Sequence, residues 1–295
     1  ACSSFDRLRT NGGDRRNDVK IEPGQGARKT LTPTQVPGVA RAKAIRPVHC
    51  RAMTKLDLAF IGTGNAWVQE GQCWNGFLVN DRYLFETPPT VLMALQKMGT
   101  AINDIEAVVI SHHHGDHILG LPFLMLYWKY FGRTKPVDII GPPDTELIAH
   151  MLTDRTYPHL FDTPYQLNWV VAKAGERIVS GELVLDPVAV KHDPELTASL
   201  GFTCTLGGRR FAYTGDSAMC DGVLALAREA EVLVAECASQ ARKSDVHMNF
   251  VDDMPVLRAA MKPGAHLLLT HTEGAMDASS LPNTMAAKDF ERYQF

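Results

Sequence analysis

Residues 111–117 read Ser111-His112-His113-His114-Gly115-Asp116-His117. Five side chains able to hold a metal crowd into the six positions 112–117. In an extended segment alternate side chains share a face, so His112 and His114 point one way and His113 the other. Gly115 permits a tight turn, which delivers Asp116 and His117 from the other side of the same pocket. The spacing fits two adjacent ions, each taking two ligands from this loop. Imidazole and carboxylate donors suit Zn²⁺, with Mn²⁺ or Fe²⁺ as alternatives. A chance cluster on a solvated loop is the bland alternative. The apolar strand Ala107–Ile110, which runs straight into the histidines, argues against it.

Three further residues occupy similar positions. His192 follows a strand at Leu183–Val190, Asp216 follows one at Arg209–Tyr213, and His271 follows one at His266–Thr270. Singly, they read as a loop histidine, a turn aspartate and a polar strand end. Beside a metal loop that needs more donors, they read as ligands, because strand ends of α/β proteins converge at one sheet edge.

The rest of the chain supplies the layers. Strands are predicted at Lys55–Ile61, Gly76–Val79, Tyr83–Phe85, Val137–Ile140, Gln166–Val171, Ser199–Leu206 and Val232–Ala235. Gly207-Gly208 makes a hairpin turn between Ser199–Leu206 and Arg209–Tyr213. Helices are predicted at Thr90–Met98, His117–Phe131, Asp144–Leu152 with Asp144 as its cap, Met219–Glu229, Asp252–Met261 and Thr284–Tyr293. Residues 153–165 read as loop. Strands interleaved with helices predict α/β layers, with helices covering sheet faces.

Composition narrows the function classes. Hydrophobic residues make up 45% and charged residues 21% of the 295 positions, ordinary for a globular chain with a sizeable core. The net charge of −3 marks neither a nucleic-acid binder nor a membrane binder, and no apolar run reaches the length of a spanning helix. Residues 1–52 differ, with eleven Lys/Arg against four Asp/Glu and few apolar runs. They read as a disordered basic tail or a non-native leader before Met53, and 53–295 as a single hydrolase domain. Six cysteines without a C-x-x-C pair read as mostly reduced thiols in a cytoplasmic protein.

With these residues in hand, the chain resembles the metallo-β-lactamase-fold superfamily over about residues 55–293. The histidine run matches that group's H-x-H-x-D-H signature, and His192, Asp216 and His271 match its later ligand motifs in order. The resemblance implies an αββα sandwich of two sheets flanked by helices. It implies one ion on His112, His114 and His192, a second on Asp116, His117 and His271, and Asp216 bridging both. A bridging Asp disfavours antibiotic hydrolysis, since the true β-lactamases of the superfamily lack it.

A narrower resemblance is to the ribonuclease Z-like phosphodiesterases. It rests on Ile61-Gly62-Thr63-Gly64, on Gly141-Pro142-Pro143, and on Ala235-Glu236-Cys237 followed by His247. It implies that Glu236 holds His247, which donates a proton to the leaving oxygen, with Asp116 also at the catalytic centre. Two departures set this chain apart. Only 23 residues separate His192 from Asp216, which leaves no room for a transfer-RNA-gripping arm. Glu86-Thr87-Pro88-Pro89 stands where the family has Asp-x-Gly, so Glu86 is the candidate substitute.

The expected function is therefore a dinuclear phosphodiesterase whose ions share a bridging water as nucleophile. Its partner is a nucleotide-type or other small anionic substrate, drawn by ion charge that Asp116 and Asp216 only half offset. A homodimer follows from the resemblance. Trp67, Trp74 and Tyr127 are candidates for the mouth of the site. Hydrolysis of a lactone, thioester or other carboxylic ester is the alternative, and a non-catalytic nucleic-acid-binding module using residues 1–52 is the alternative from another class.

Overall fold

The computed structural model describes residues 55–69 and 71–295, so the expectations for residues 1–52 lie outside the described residues. Along the chain run β1 (Asp57–Gly62), β2 (Gly76–Val79), β3 (Tyr83–Phe85), α1 (Val91–Lys97), β4 (Ala107–Val109), α2 (Gly115–Ile118), α3 (Leu121–Tyr130), β5 (Val137–Gly141) and α4 (Thr145–Thr153). Then come β6 (Leu167–Val171), β7 (Ile178–Ser180), β8 (Leu183–Ala189), β9 (Leu200–Leu206), β10 (Arg209–Tyr213), α5 (Asp221–Glu229), β11 (Val232–Glu236), α6 (Met254–Ala260), β12 (His266–Thr270), β13 (Thr284–Ala286) and β14 (Arg292–Gln294).

They form two mixed seven-stranded sheets, in the orders β14-β1-β2-β3-β4-β5-β6 and β13-β12-β11-β10-β9-β8-β7. The unbroken apolar runs of the central strands follow from burial on both faces. In β1, Leu58 and Phe60 face the cluster between the sheets, while Ala59 and Ile61 face the cluster under α1 and α3. In β11, Val232 and Val234 enter the same inter-sheet cluster, while Leu233 and Ala235 pack under α5 and α6. Three apolar layers thus separate helix, sheet, sheet and helix, the expected αββα sandwich.

Aromatic rings tie the sheets together. Phe85 stacks on Phe77 with ring centroids 4.8 Å apart and meets Phe211 and Tyr213 of the opposite sheet edge-on at 5.8 and 5.9 Å. Phe85→Ala removes the shared contact and is expected to cost about 3–5 kcal/mol. Calorimetry should find a melting temperature lower by on the order of 10 °C. A loss of under about 1 kcal/mol would show that the sheets do not depend on this contact.

Strand direction places the functional edge. β8 is antiparallel to β9 and β9 to β10, whereas β10, β11 and β12 are mutually parallel. The C-terminal ends of β8, β10, β11 and β12 therefore open on one side. The Leu200 amide donates to the Ser111 carbonyl at 3.0 Å, which brings the end of β4 to that side.

Three local expectations need correction. Thr284–Tyr293 is not a helix: Thr284–Ala286 pairs with β12 and Arg292–Gln294 with β1. Phe290 breaks the stretch with a positive φ of 65°, and the Ala287 amide donates to the Leu269 carbonyl at 2.8 Å, so sheet pairing overrides local helix propensity. The helix predicted from His117 is two, parted at Gly120, where a Cβ would lie 2.0 Å from the Pro88 carbonyl oxygen. Asp144 does not cap α4: its φ is 75°, and its carboxylate accepts from the Thr197 hydroxyl at 3.0 Å. Strand β7 was not foreseen.

Candidate metal centre

The loop after β4 and the ends of β8, β10 and β12 bring seven side chains together. The ligand atoms of His112, His114 and His192 lie within 4.8 Å of one another, and so do those of Asp116, His117, Asp216 and His271. Asp216 joins the two groups. Its Oδ2 stands 3.9 and 4.0 Å from the Nε2 atoms of His112 and His192, and 3.4 and 3.0 Å from those of His117 and His271. Asp116 Oδ2 lies 3.4 Å from His117 Nε2 and 3.3 Å from His271 Nε2.

The backbone is shaped to make this possible. Asp216 follows Gly215, whose φ is 57° and whose Cβ, were there one, would sit 2.5 Å from the Leu200 carbonyl oxygen. His271 adopts φ 55°, a left-handed conformation that costs a non-glycine residue about 1 kcal/mol or more and persists where surroundings enforce it. Here it aims the imidazole at both carboxylates.

The donor set fits divalent cations. His112 Nε2, His117 Nε2 and Asp216 Oδ1 are buried without a hydrogen-bond partner, a costly arrangement for polar atoms unless a cation meets them. Hydrogen bonds on the far ring nitrogens orient the imidazoles. His112 Nδ1 meets the Ser111 hydroxyl at 2.9 Å, and His192 Nδ1 meets the Val246 carbonyl at 3.0 Å, leaving both Nε2 atoms to the cavity. Burial pushes the His112 and His192 imidazoles below their ordinary pKa, toward the neutral form that ligates. Burial works against the Asp216 carboxylate, yet His271 and His117 hold it well below the usual range.

His113 lies outside both groups, as the alternation predicts, with its Nε2 2.8 Å from the Thr145 hydroxyl. Glu86 sits behind His117, 3.5 Å from its Nδ1, and accepts from the Ser111 amide at 3.2 Å. Asp193 is a residue that sequence reasoning missed. Its carboxylate lies 3.1 Å from His114 Nε2, so the other nitrogen of His114 faces His192. Its place directly after His192 was the available signal.

Beside the two groups, Glu236 is fully buried at the end of β11. Its Oε1 accepts from the amides of Ser217 (3.1 Å) and Met248 (3.2 Å) and its Oε2 from that of Ala238 (3.0 Å). His247 Nδ1 completes the cage, 3.1 Å from Oε1. Burial opposes charge on His247, but this carboxylate outweighs it and raises the imidazole above its ordinary pKa. The His247 ring lies 4.9 Å from that of His192 and 5.5 Å from that of His271. A cavity of about 430 Å³ opens over these groups. Trp67 lines it; Trp74 instead donates its Nε1 hydrogen to the Ala66 carbonyl, and Tyr127, on α3, stacks on Phe131 at 4.6 Å.

Two sheets between helices, with this ligand set at one edge, define the metallo-β-lactamase fold. The chain belongs to the family described as Anti-Pycsar protein Apyc1, whose model matches residues 56–288. It is similar to a ribonuclease Z of Clostridium novyi, 31% identical over 151 residues, which cover 46% of this chain and 47% of that protein. The chain thus spans about half the length of that relative. Protein ML1173 of Mycobacterium leprae is 30% identical over 214 residues, covering 64% of this chain and 70% of its own. The metallo-β-lactamase-fold protein YhfI of Bacillus subtilis superposes with a TM-score of 0.66 at 20% identity, over 82% of this chain and 99% of its own.

Proposed function

We propose that this protein is a metal-dependent phosphodiesterase acting on a nucleotide or other small diester. His112, His114 and His192 would hold one divalent ion, Asp116, His117 and His271 a second, and Asp216 would serve both. Zinc suits these donors. When bound, such ions supply positive charge for the phosphoryl oxygens and a water acidic enough to attack at neutral pH.

The observation that carries the reading is the pair Glu236–His247. Nδ1 of His247 donates to Glu236, which leaves Nε2 to carry a proton to the leaving oxygen. Cleavage of a phosphodiester expels an alkoxide that needs such a proton. The similarity to ribonuclease Z agrees with phosphorus chemistry. The homodimer implied by the resemblance belongs to the same reading, and sedimentation velocity tests it. No helix of the described residues is long and apolar enough to cross a membrane.

A panel of phosphodiester, lactone and thioester substrates, run beside metal analysis, tests the proposal. Turnover of diesters with two equivalents of metal supports it; lactone turnover with inert diesters overturns it. Glu236→Gln sharpens the test. Activity requires protonated His247 and falls as pH rises through its pKa. The Glu236 charge raises that pKa, so the variant should lose activity at lower pH, with the alkaline limb of kcat/KM displaced downward. An alkaline limb that stays in place would remove Glu236 from this role.

A further inference from the structure

Of the three imidazoles grouped for one ion, two are held by burial. The side chains of His112 and His192 are 0% and 2% exposed, against 36% for His114. The outer torsion of a histidine is broad, so a ring open to water keeps two orientations unless a partner selects one. Among the described residues the His114 ring bonds only to Asp193, 3.1 Å from its Nε2, and to His192, 3.1 Å from its Nδ1.

The chain builds a rigid seat for that carboxylate. Asp193-Pro194-Glu195-Leu196 has the composition of a turn, with Asp first and Pro second. The Leu196 amide donates to the Asp193 carbonyl at 3.3 Å, and Asp193 Oδ1 accepts from the Glu195 amide at 2.9 Å. Oδ2 is left for His114. The loop is pinned on both sides: the Ala218 amide donates to the Lys191 carbonyl at 2.7 Å, and the Thr197 hydroxyl to Asp144 at 3.0 Å.

The ring hydrogens follow from these partners. An ionised carboxylate only accepts, so neutral His114 carries its hydrogen on Nε2. The Val246 carbonyl also only accepts, which places the hydrogen of His192 on Nδ1. His114 Nδ1 and His192 Nε2 then face each other at 3.1 Å as two lone pairs, a repulsive contact that a cation between them turns into ligation.

We infer that Asp193 is a positioning residue: it fixes the Nε2 hydrogen of His114 and so commits Nδ1 to the ion shared with His112 and His192. The inference rests on the metal-centre reading of the proposed function. Among the described residues Asp193 bonds no other candidate ligand, so its loss acts on one ion and spares the second.

Two variants test it. Asp193→Ser keeps a turn-forming side chain too short for His114, and Asp193→Asn keeps an amide oxygen able to accept from Nε2. Competition with a chromogenic zinc chelator measures each step of zinc binding to the full chain. Asp193→Ser should weaken one step about 10- to 100-fold and leave the other near native, and Asp193→Asn should restore most of the loss. Equal weakening of both steps, weakening of neither, or no rescue by Asn overturns the inference. Two-bond nitrogen–proton correlation spectra of the metal-free protein, at a pH that leaves imidazoles neutral, read the tautomer directly. The His114 hydrogen should sit on Nε2 in the native protein. In Asp193→Ser the lone pair of His192 should draw it toward Nδ1. A native hydrogen on Nδ1, or no change in the variant, overturns the inference. If zinc binds in neither step, the metal-centre reading fails by itself, and the spectra still decide whether Asp193 sets the tautomer.

Discussion

Asp216→Ala should reduce bound metal from two equivalents to one or fewer and lower diester turnover on the order of 10³-fold or more. The reason is position. Asp216 alone offers a carboxylate oxygen to imidazoles of both groups, at 3.0 to 4.0 Å. Without it the two groups lose their common donor, and Asp116 is the one carboxylate left within them. An unactivated water has a pKa near 15.7 against about 7 for one activated by metal, so the supply of nucleophile at neutral pH collapses. Inductively coupled plasma analysis and steady-state rates measure the two effects together. Two equivalents of metal retained by the variant, or rates within tenfold of native, would sink the dinuclear reading. Circular dichroism controls for folding, since Asp216 lies on a tight turn.

His247→Ala should act differently. Metal content should stay near native, because His247 is engaged by Glu236. Turnover of a diester with an alkoxide leaving group should drop about 10²–10⁴-fold, the usual worth of a positioned proton donor. A p-nitrophenyl diester expels a stable phenolate that needs little proton donation, so its loss should be far smaller. This contrast separates a proton donor from a ligand. If both substrates lose equally, His247 acts on the metal centre or on folding and not on the leaving group.

The candidate ligands were legible because their chemistry leaves few substitutes. Five donors within six positions at a strand end have few structural uses, and the later ligands could be found by asking where apolar runs stop. The resemblance supplied Glu236 and His247, which no spacing rule would have paired across eleven positions. Asp193 stayed hidden because it follows a residue that already explained the loop. The misread helix at Thr284–Tyr293 has another cause. Its two ends pair with different strands, the preceding β12 and the far end of the chain at β1, and local propensity carries no information about which partner each end will find. At the break the Gly120 amide donates to the Thr87 carbonyl at 2.8 Å, a partner that no helical periodicity could reveal.

The division of the candidate ligands between the sheets has a mechanical consequence. His112, His114, Asp116 and His117 follow a strand of one sheet; His192, Asp216 and His271 follow strands of the other. Each proposed ion would draw donors from both halves of the sandwich and act as a clasp across its open edge. Its binding free energy then adds to the free energy that keeps the halves shut. Chelation should loosen this edge ahead of the aromatic core around Phe85. A chain with its halves apart could hold neither ion, so metal capture would report completed assembly.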